Sequence, residues 1–338
     1  MVRFGIVGFG LHAVRRLMPG FMEATNCKVV ALSRRDPVKA AEAGRQYNIP
    51  HVFLSTEELC RCPDVDAVLV TTPNALHLSD VLTAVRHGKP VLCEKPMGMN
   101  ADECRQMVEA ARQAKVLLGV AHVFRFEESV VRLRAHIAAG EIGRPVFARS
   151  EFSFIGSQHG RTWIYDRALA GGGPIADIGV HCIDTLRYVL QDEPVRVTTL
   201  GRWDAESREV EAVAALTLEF RRGTLAAILV SMRVEYRTPL EFIGDAGVLR
   251  AENGLNVDRL LDIELWRDRQ LVRTETVSNS LAYARQVDSF ADALEGKQVF
   301  PALGEEGWQN QIILDAAFRS MASGKAEDIA FVAGPLPN

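Results

Sequence analysis

The stretch VRFGIVGFGLHA, residues 2–13, places an apolar strand, a glycine turn and the start of a helix in immediate succession. Val2–Val7 is rich in residues that favour buried strands. Apolar residues then recur with helical spacing over Leu11–Ala24. This order indicates the first unit of a parallel sheet whose strands are connected by helices.

Strand and helix continue to alternate up to about residue 121. Four further runs of strand-like residues are Cys27–Leu32, Val68–Thr71, Val91–Cys93 and Val116–Val120. Helices are indicated between them, and Pro37 begins one at the position that proline favours. We therefore predict an α/β domain over residues 1–121, built on a doubly wound parallel sheet.

After residue 121 the pattern changes to α+β. From Val195 to Val277 apolar and polar residues alternate with period two, which is typical of antiparallel strands with one buried face. Arg221–Gly223 looks like a hairpin connection. The other predicted elements are the helices Glu127–Ala139, Pro174–Leu190, Ala282–Glu295 and Glu305–Ser323 and the strand Val146–Phe154. A second domain, residues 122–338, is thus expected to contain a large, mainly antiparallel sheet.

The composition is that of an ordinary globular protein. The 338 residues are 48% hydrophobic and 24% charged, with a net charge of −4. Two domains are expected, since single cores rarely exceed about 250–300 residues. The slight negative charge and the lack of a long Lys/Arg run argue against a nucleic-acid partner. No apolar run reaches the roughly 18 residues of a membrane span.

The six cysteines give no sign of disulfides or of a metal site. Cys60 and Cys62 are too close in sequence for an ordinary bridge, and no second pair completes a zinc site, so we expect no metal. No basic and apolar leader with a cleavage site precedes the first strand. We interpret the thiols as reduced and the protein as cytoplasmic.

Gly8, Gly10 and Ala13 have the spacing of a dinucleotide-binding turn, between a strand and a helix as such a turn requires. Gly8 permits the tight turn, Gly10 lets the backbone approach a pyrophosphate, and Ala13 takes the close-packing third place. The phosphates would lie at the start of the helix, beside Leu11 and His12, where backbone N–H groups are free.

The end of the second strand bears on which dinucleotide binds. An NAD site has a carboxylate about 20 residues past the glycines for the ribose diol. This chain has Ser33-Arg34-Arg35-Asp36, with Arg34 in the acidic place. A guanidinium matches a phosphate with a bidentate fork, so NADP is favoured over NAD. The alternative is that both arginines are solvated and that Asp36 caps the next helix.

Glu94-Lys95-Pro96 follows the apolar run Pro90–Cys93, at the edge of the predicted sheet where ligands bind. A lysine there points its ammonium group into the ligand crevice. The proline disfavours helical geometry at Lys95, which indicates that the lysine is held in place. Taken alone, the alternative is a common surface turn.

The stretch GGGPIADIGVHCID, residues 171–184, contains a polar stripe on an apolar helix. Asp177, His181 and Asp184 fall within about 60° of one another around the helix axis. Histidine is the side chain best suited to proton transfer near neutral pH, and Asp177 could orient it or share the proton path. The alternative is a buried histidine tied to one aspartate for structure.

With these motifs the chain resembles the Gfo/Idh/MocA oxidoreductases, the group of glucose–fructose oxidoreductase and myo-inositol dehydrogenase. The resemblance extends over essentially the whole length. Its signatures, in chain order, are Gly8-x-Gly10-x-x-Ala13, Thr72-Pro73-Asn74-x-x-His77, Glu94-Lys95-Pro96 and Gly171-Gly172-Gly173-x-x-x-Asp177-x-Gly179-x-His181-x-x-Asp184. It implies a Rossmann fold for the first domain and a carboxyl-terminal sheet that forms the subunit interface of a homodimer or homotetramer.

The resemblance also implies roles for individual residues. The catalytic group would be Lys95, Asp177 and His181. The nicotinamide side would be lined by Pro73, Asn74 and His77, with Glu94 close by. The full set expected to bind NADP or NAD is Gly8, Gly10, Leu11, His12, Ser33, Arg34, Arg35, Thr72, Pro73, Asn74, His77, Glu94 and Lys95.

The substrate pocket is expected to draw on a polar and aromatic loop and on the segment after the last parallel strand. The candidate lining residues are Arg161, Trp163, Tyr165, His122, Phe124 and Arg125. An aromatic wall with hydrogen-bonding side chains suits a sugar ring. The alternative for each residue is core or interface packing.

These features predict an NAD(P)-dependent oxidoreductase that transfers a hydride between nicotinamide and a sugar, polyol or related secondary alcohol. One alternative is an NAD-dependent glycoside hydrolase that acts by transient oxidation, as a few relatives of this family do. Another is a non-enzymatic NADP-sensing protein. Net reduction of the cofactor would distinguish a dehydrogenase from the glycoside hydrolase. The presence of both Lys95 and His181 argues against the NADP-sensing protein.

Overall fold

The structure, a computed structural model, describes residues 1–331. Residues 332–338 of the predicted second domain lie outside the described part. The first six strands are β1 (Val2–Val7), β2 (Cys27–Ser33), β3 (His51–Phe53), β4 (Ala67–Val70), β5 (Val91–Cys93) and β6 (Leu118–Val120). The helices between them are α1 (Met18–Glu23), α2 (Pro37–Gln46), α3 (Thr56–Arg61), α4 (His77–Arg86) and α5 (Ala101–Ala114).

These six strands are all parallel and lie in the order β3-β2-β1-β4-β5-β6. The predicted doubly wound parallel sheet is therefore confirmed. The strand order reverses between β1 and β4, and ligands bind in the crevice at such a switch point.

The second half of the described chain contains ten strands and five helices. The helices are α6 (Glu128–Ala138), α7 (Arg167–Ala170), α8 (Val180–Leu190), α9 (Ala282–Leu294) and α10 (Gly304–Ser323). The strands are β7 (Pro145–Ile155), β8 (Pro194–Arg202), β9 (Val213–Phe220), β10 (Leu225–Ser231), β11 (Arg233–Arg237), β12 (Leu240–Gly244), β13 (Val248–Ala251), β14 (Leu260–Arg267), β15 (Gln270–Ser278) and β16 (Glu327–Asp328).

These strands form one sheet in the order β15-β14-β13-β12-β7-β10-β9-β8-β16, with β11 paired to β7. Only β7 and β10 are parallel neighbours among the described strands of this sheet. The prediction of a large, mainly antiparallel sheet is confirmed. Arg221–Gly223 makes the hairpin between β9 and β10, and Gly223 has a φ of +92°.

The two faces of this sheet differ. On β9 the alternate residues Ala214, Leu216, Leu218 and Phe220 are buried in one core with α8. The opposite face, which we call the open sheet face, leaves four large apolar side chains 38–70% exposed. They are Phe147, Leu200, Leu225 and Leu229.

The last helices return to the first domain. The rings of Phe4 on β1 and Phe290 on α9 lie 6.0 Å apart, and Phe290 and Phe300 make an edge contact at 5.2 Å. These residues share one core with the parallel sheet. Gly119 of β6 also bridges to Leu303. The sheets therefore divide near residue 121, but residues 287–303 help to form the core of the first.

Within residues 1–331 no helix combines the length and apolar character that crossing a membrane requires. All six cysteines lie in this range, buried and without disulfides.

Candidate active site

The glycine turn after β1 is built as the sequence predicts. Gly8 has a φ of +81°, and a Cβ atom there would lie 2.7 Å from Thr72 Cγ2. Thr71 Oγ1 donates hydrogen bonds to the carbonyl oxygens of Val7 and Gly8, at 3.0 and 2.9 Å. The turn is thereby fixed against the loop that follows β4.

A groove of about 600 Å³ lies over this turn. Its lining includes Gly8, Gly10, Ser33, Arg34, Arg35, Asp36, Thr72 and Pro73. A Cβ atom at Gly10 would meet only the Gly8 carbonyl oxygen, 3.5 Å away, so the space above the turn is open. A π-helical turn, Ala13–Leu17, begins here and leads into α1. It has no side-chain cap, which leaves its first N–H groups for an anion. The residues present therefore fit the pyrophosphate of a dinucleotide.

Asp36 is engaged in the way that the alternative reading proposed. Its side chain accepts hydrogen bonds from the backbone N–H groups of Val38 and Lys39 at the start of α2. The bond from Lys39 contributes most to holding the pKa of Asp36 below its ordinary value. Arg34 and Arg35 both line the groove, so the rim of the groove beyond β2 has a cationic character.

Asn74 and His77 lie behind the groove rather than along it. His77 is fully buried, with its ring nitrogens 3.0 Å from the Pro96 carbonyl oxygen and 2.9 Å from that of Thr72. Asn74 donates to the carbonyl oxygen of Ala170 at 2.8 Å. Neither side chain lines the groove or the cleft described next. Their polar atoms hold loops together, and a contact with nicotinamide stays a prediction.

The second opening is a cleft of about 330 Å³ between the two domains. Lys95 enters it from the first domain, and Asp177, His181 and Arg161 enter it from the second. Leu11, His12 and Glu94 line it as well. The three residues predicted as a catalytic group are thus brought together across the domain boundary.

Lys95 is held by the second domain. Its Nζ donates to the Asp177 carbonyl oxygen at 2.7 Å and lies 3.3 Å from Asp177 Oδ1. Arg161 grips both carboxylate oxygens of Asp177, at 3.1 and 2.7 Å. Burial alone would raise the pKa of Asp177, but Arg161 and Lys95 outweigh it and hold that pKa well below its ordinary value. Asp177 is therefore a charged anchor for two cations.

His181 has a different environment from the one we predicted. Within residues 1–331 it makes no hydrogen bond to Asp177 or to another side chain, although it lines the cleft. Its ring lies 4.5 Å from that of Phe124 and 6.0 Å from that of Phe152. Burial, with the nearby charge of Lys95, lowers the pKa of His181 well below its ordinary value. A neutral imidazole able to accept a proton results.

Glycine is required before His181 because the backbone at Gly173 lies very close to that of Glu211. A Cβ atom at Gly173 would lie 2.1 Å from the Glu211 carbonyl oxygen. The Glu211 carboxylate accepts from the N–H groups of Gly173 and Ile175, at 3.0 and 2.9 Å. A π-helical turn, Ile175–Gly179, follows and leads directly into α8. Such turns often occur at functional sites.

Glu94 contacts both His12, which follows the glycine turn, and the backbone of Lys95. Its Oε1 lies 2.8 Å from His12 Nε2, and its Oε2 accepts from the Lys95 N–H at 3.2 Å. Burial raises the pKa of Glu94, but His12 and Lys95 more than offset this and leave it below its ordinary value. The peptide bond between Lys95 and Pro96 is cis.

Four predicted substrate residues do not line the cleft. Arg125 is buried, forked onto Asp184, and bonded to Glu306 at 2.7 Å. His122 is buried beside it, and burial lowers the pKa of His122 to about 4. Both side chains contact a buried polar network around Asp184, and their contact with substrate stays a prediction. The other two, Trp163 and Tyr165, pack against the core of the second domain.

Part of the cleft wall was not predicted from the sequence. The missed lining residues include Phe152, Phe154, Tyr236, Leu255, Val257 and Tyr283. They come from β7, β11 and the segments before β14 and within α9. Alternation along β7 gave a partial signal, but this strand is buried on both faces from Ser150 to Phe154.

One group of side chains elsewhere is close enough to hold a metal ion, namely His51, Cys62 and Asp64. His51 Nε2 lies 2.9 Å from Asp64 Oδ2, and Arg3 lies 2.8 Å from Asp64 Oδ1. A cation there would face the guanidinium charge of Arg3. The absence of a metal stays a prediction.

Comparison with known proteins adds to this geometry. A model described as an oxidoreductase family with an NAD-binding Rossmann fold matches residues 2–122, and one for a GFO/IDH/MocA C-terminal domain matches residues 130–250. The 1,5-anhydro-D-fructose reductase of Ensifer adhaerens is 33% identical over 331 residues, 97% of this chain and 99% of that protein.

Two further similarities concern other named activities. The trans-1,2-dihydrobenzene-1,2-diol dehydrogenase of Mus musculus is 36% identical over 233 residues, 68% of each protein. Among solved structures, the aldose-aldose oxidoreductase of Caulobacter crescentus, in complex with glycerol, superimposes with a TM-score of 0.88 at 26% identity. That comparison covers 97% of this chain and 99% of the other.

Proposed function

This chain belongs to the Gfo/Idh/MocA family of oxidoreductases, and from that premise we propose that it transfers a hydride between nicotinamide and a sugar, polyol or related secondary alcohol. Its relatives are NAD(P)-dependent dehydrogenases and reductases that act on CH–OH groups. The single observation that supports the proposal best is the meeting of Lys95 and His181 in one interdomain cleft.

The roles of the two side chains follow from their charge states. When bound, nicotinamide accepts or gives the hydride at its C4. His181, neutral because burial and Lys95 lower its pKa, takes the hydroxyl proton in oxidation and returns it in reduction. Lys95 donates a hydrogen bond to the same oxygen and stabilises the charge that develops there, a role worth about 3–4 kcal/mol of barrier.

The test is a panel of polyols, aldoses, diols and glycosides incubated with NAD or NADP, with absorbance of the reduced cofactor and release of the glycoside's leaving group as the measurements. Net reduction with at least one alcohol is the expected result. Cleavage of a glycoside without net reduction would instead favour transient oxidation. Binding of NADP with no turnover of any compound, in either direction, would contradict the proposal.

We further propose that NADP is preferred to NAD. Arg34 and Arg35 line the groove beyond β2, whereas Asp36 is taken up by the start of α2. A guanidinium–phosphate contact is worth about 1.5–3 kcal/mol, so the expected preference is about 10–100-fold in affinity.

Arg34→Asp should therefore narrow or reverse the preference, because it exchanges a partner of the 2′-phosphate for an acceptor of the ribose diol. Calorimetric affinities for both cofactors would measure this. Arg222→Asp, with the same charge change in the β9–β10 hairpin, is the control and should leave the ratio unaltered. Equal affinities for NAD and NADP in the unmodified protein would remove the basis of the prediction.

Assembly through the open sheet face is also proposed, as a homodimer or a homotetramer. Exposed apolar side chains that share one face of a sheet, as the four on the open sheet face do, commonly mark interfaces. The buried, unbridged cysteines support the proposal of a reducing, cytoplasmic setting.

Light scattering at micromolar concentration should give a mass at least twice the 37.3 kDa of one chain. Leu229→Lys, near the middle of the open sheet face, should lower that mass. Met22→Lys, an equally drastic change at a 78% exposed position on α1, should not. A monomeric mass for the unmodified protein would count decisively against this assembly.

A further inference from the structure

The ring of His181 is placed by its helix and by packing. It bonds to no side chain among the described residues, and both carboxylate oxygens of Asp177 are engaged by Arg161. Its closest aromatic contact is with Phe124, at 4.5 Å between ring centres. The distance between His181 and Lys95 therefore depends on what holds α8 in place.

Arg125, the residue after Phe124, holds the next turn of α8. Its guanidinium forks onto Asp184, with an Nε–Oδ2 distance of 2.9 Å and an Nη2–Oδ1 distance of 2.6 Å. Asp184 lies three residues after His181, so the two side chains are neighbours on the helix surface. Burial alone would raise the pKa of Asp184, but Arg125 and other charged neighbours outweigh it and hold that pKa below its ordinary value. Phe124 and Arg125, which we call the α8 clamp, thus contact two successive turns of the helix.

The α8 clamp is itself anchored by α10 and the segment before it. Arg125 also donates to the Pro301 carbonyl oxygen at 2.6 Å and to Glu306 Oε2 at 2.7 Å. Asn310, on α10 like Glu306, donates to Asp184 Oδ1 at 2.8 Å. Arg125 is only 5% exposed and Asp184 only 1%, so these contacts act in a medium of low dielectric constant, where they are strong.

The α8 clamp also has a fixed position relative to Lys95. Strands β5 and β6 are parallel neighbours, and just beyond β6 the Ala121 N–H donates to the Cys93 carbonyl oxygen at 2.8 Å. Cys93 lies two residues before Lys95, and Ala121 lies three residues before Phe124. A short backbone path therefore connects the lysine, through the end of the sheet, to the α8 clamp.

We propose that Arg125 and Asp184 are positioning residues, whose fork fixes α8 and thereby the separation of His181 from Lys95 across the cleft. Neither of the two lines the cleft, so this role needs no contact with substrate. The inference rests on the proposed function, because the separation matters only if His181 and Lys95 act on one oxygen. A displacement on the order of 1 Å at such a site costs about 10²-fold in rate.

Arg125→Lys keeps the charge but removes the planar fork onto Asp184. With a verified substrate its kcat should fall by about tenfold or more, and calorimetry should find NADP affinity unchanged. Arg134→Lys is the matched control and should turn over normally. Both arginines lie over the ring of Tyr188 on α8, but Arg134 bonds to the Tyr188 carbonyl oxygen and to Gln191 instead of Asp184.

A double-mutant cycle distinguishes positioning from a general loss of structure. If Arg125 acts through His181, Arg125→Lys should lower kcat by less than about twofold in a His181→Asn background, because the group that it positions is already absent. An equal loss in both backgrounds, or a parent-like kcat for Arg125→Lys, would overturn the inference while the proposed function stands. A parent-like kcat for His181→Asn would contradict the proposed function, and the inference with it.

Glu306→Gln keeps the test decisive if Arg125→Lys is too unstable to measure. The Glu306 side chain is 30% exposed, so the change is mild for folding, yet it removes one of the two charges that hold Arg125. We expect kcat to fall by about threefold, and this loss too should vanish in the His181→Asn background. A loss that persists there, or no loss at all, would count against the inference.

The magnetic resonance signal of the His181 ring gives a measurement that needs no turnover. In protein with isotope-labelled histidine, this signal is identified by its absence in His181→Asn. It should shift in Arg125→Lys and stay in place in Arg134→Lys. An unmoved His181 signal in a folded Arg125→Lys protein would refute the positioning role even if no compound is oxidised.

Discussion

Replacement of Lys95 by methionine should lower kcat by about 10²-fold or more, on the scale of losing one positioned transition-state donor. Methionine keeps most of the aliphatic stem but has no charge to place beside the reacting oxygen. The buried Asp177 carboxylate would keep its fork from Arg161, at 3.1 and 2.7 Å. We therefore expect the variant to fold and to be defective mainly in the chemical step.

Steady-state kinetics on a verified substrate would measure this loss, and calorimetry should find NADP affinity little changed. Lys28→Met, which removes a charge from an exposed position on β2, is the control and should turn over normally. Near-normal turnover of Lys95→Met would mean that the mechanism is wrong and that Glu94-Lys95-Pro96 is only a turn.

His181→Asn should also lower turnover by about 10²-fold or more, because a group that transfers a proton is lost. The pH dependence is the more specific measurement. Burial and Lys95 disfavour the charged imidazole, so the unmodified enzyme should oxidise its substrate at a constant kcat/KM down through the ordinary histidine range, about pH 6.5. Its rate should fall only at lower pH, where His181 becomes protonated and can no longer act as a base.

The asparagine variant should lack that fall at low pH, since it has no imidazole to protonate. His87→Asn, at the end of α4 and remote from the cleft lining, serves as the control and should keep the profile of the unmodified enzyme. A variant at His181 with the same low-pH limb as the parent would show that another group takes the proton.

The parts of the site that the sequence predicted well are those fixed by local structure. The turn at Gly8 requires a residue with positive φ directly after a strand. A glycine that directly follows a run of strand-like residues meets this requirement and can be recognised in the sequence. Lys95 follows the end of β5, so its position at the crevice follows from the strand order alone. The antiparallel sheet was likewise predictable, because each strand shows its own alternation.

Partners that are distant in the sequence were not predictable. Arg125 turns to Asp184 and Glu306, which lie 59 and 181 residues further along the chain. The position of Arg125 after the last parallel strand suggested a pocket. The residues next to it in the sequence do not indicate that two carboxylates on other helices bind it. The sequence analysis placed Asp184 on a polar stripe with Asp177 and His181, which gave no indication that Arg125 is its partner.

The apolar wall of the cleft was missed for a related reason. Phe152 and Phe154 lie on a part of β7 that is buried on both faces, so alternation does not tell which side chain borders a ligand. Leu255 and Val257 belong to a loop that lies beside Phe152 and Phe154 only after the chain has folded. A contact of this kind cannot be predicted from the sequence of one chain alone.

The return of α9 to the parallel sheet has a consequence for synthesis of the protein. Ribosomes make chains from the amino terminus, and domains commonly fold as they emerge. Here Phe4 and Phe21 share a core with Phe290 and Phe300, which are synthesised only after β1 to β15. Part of the core of the first domain therefore stays uncovered until α9 has left the ribosome.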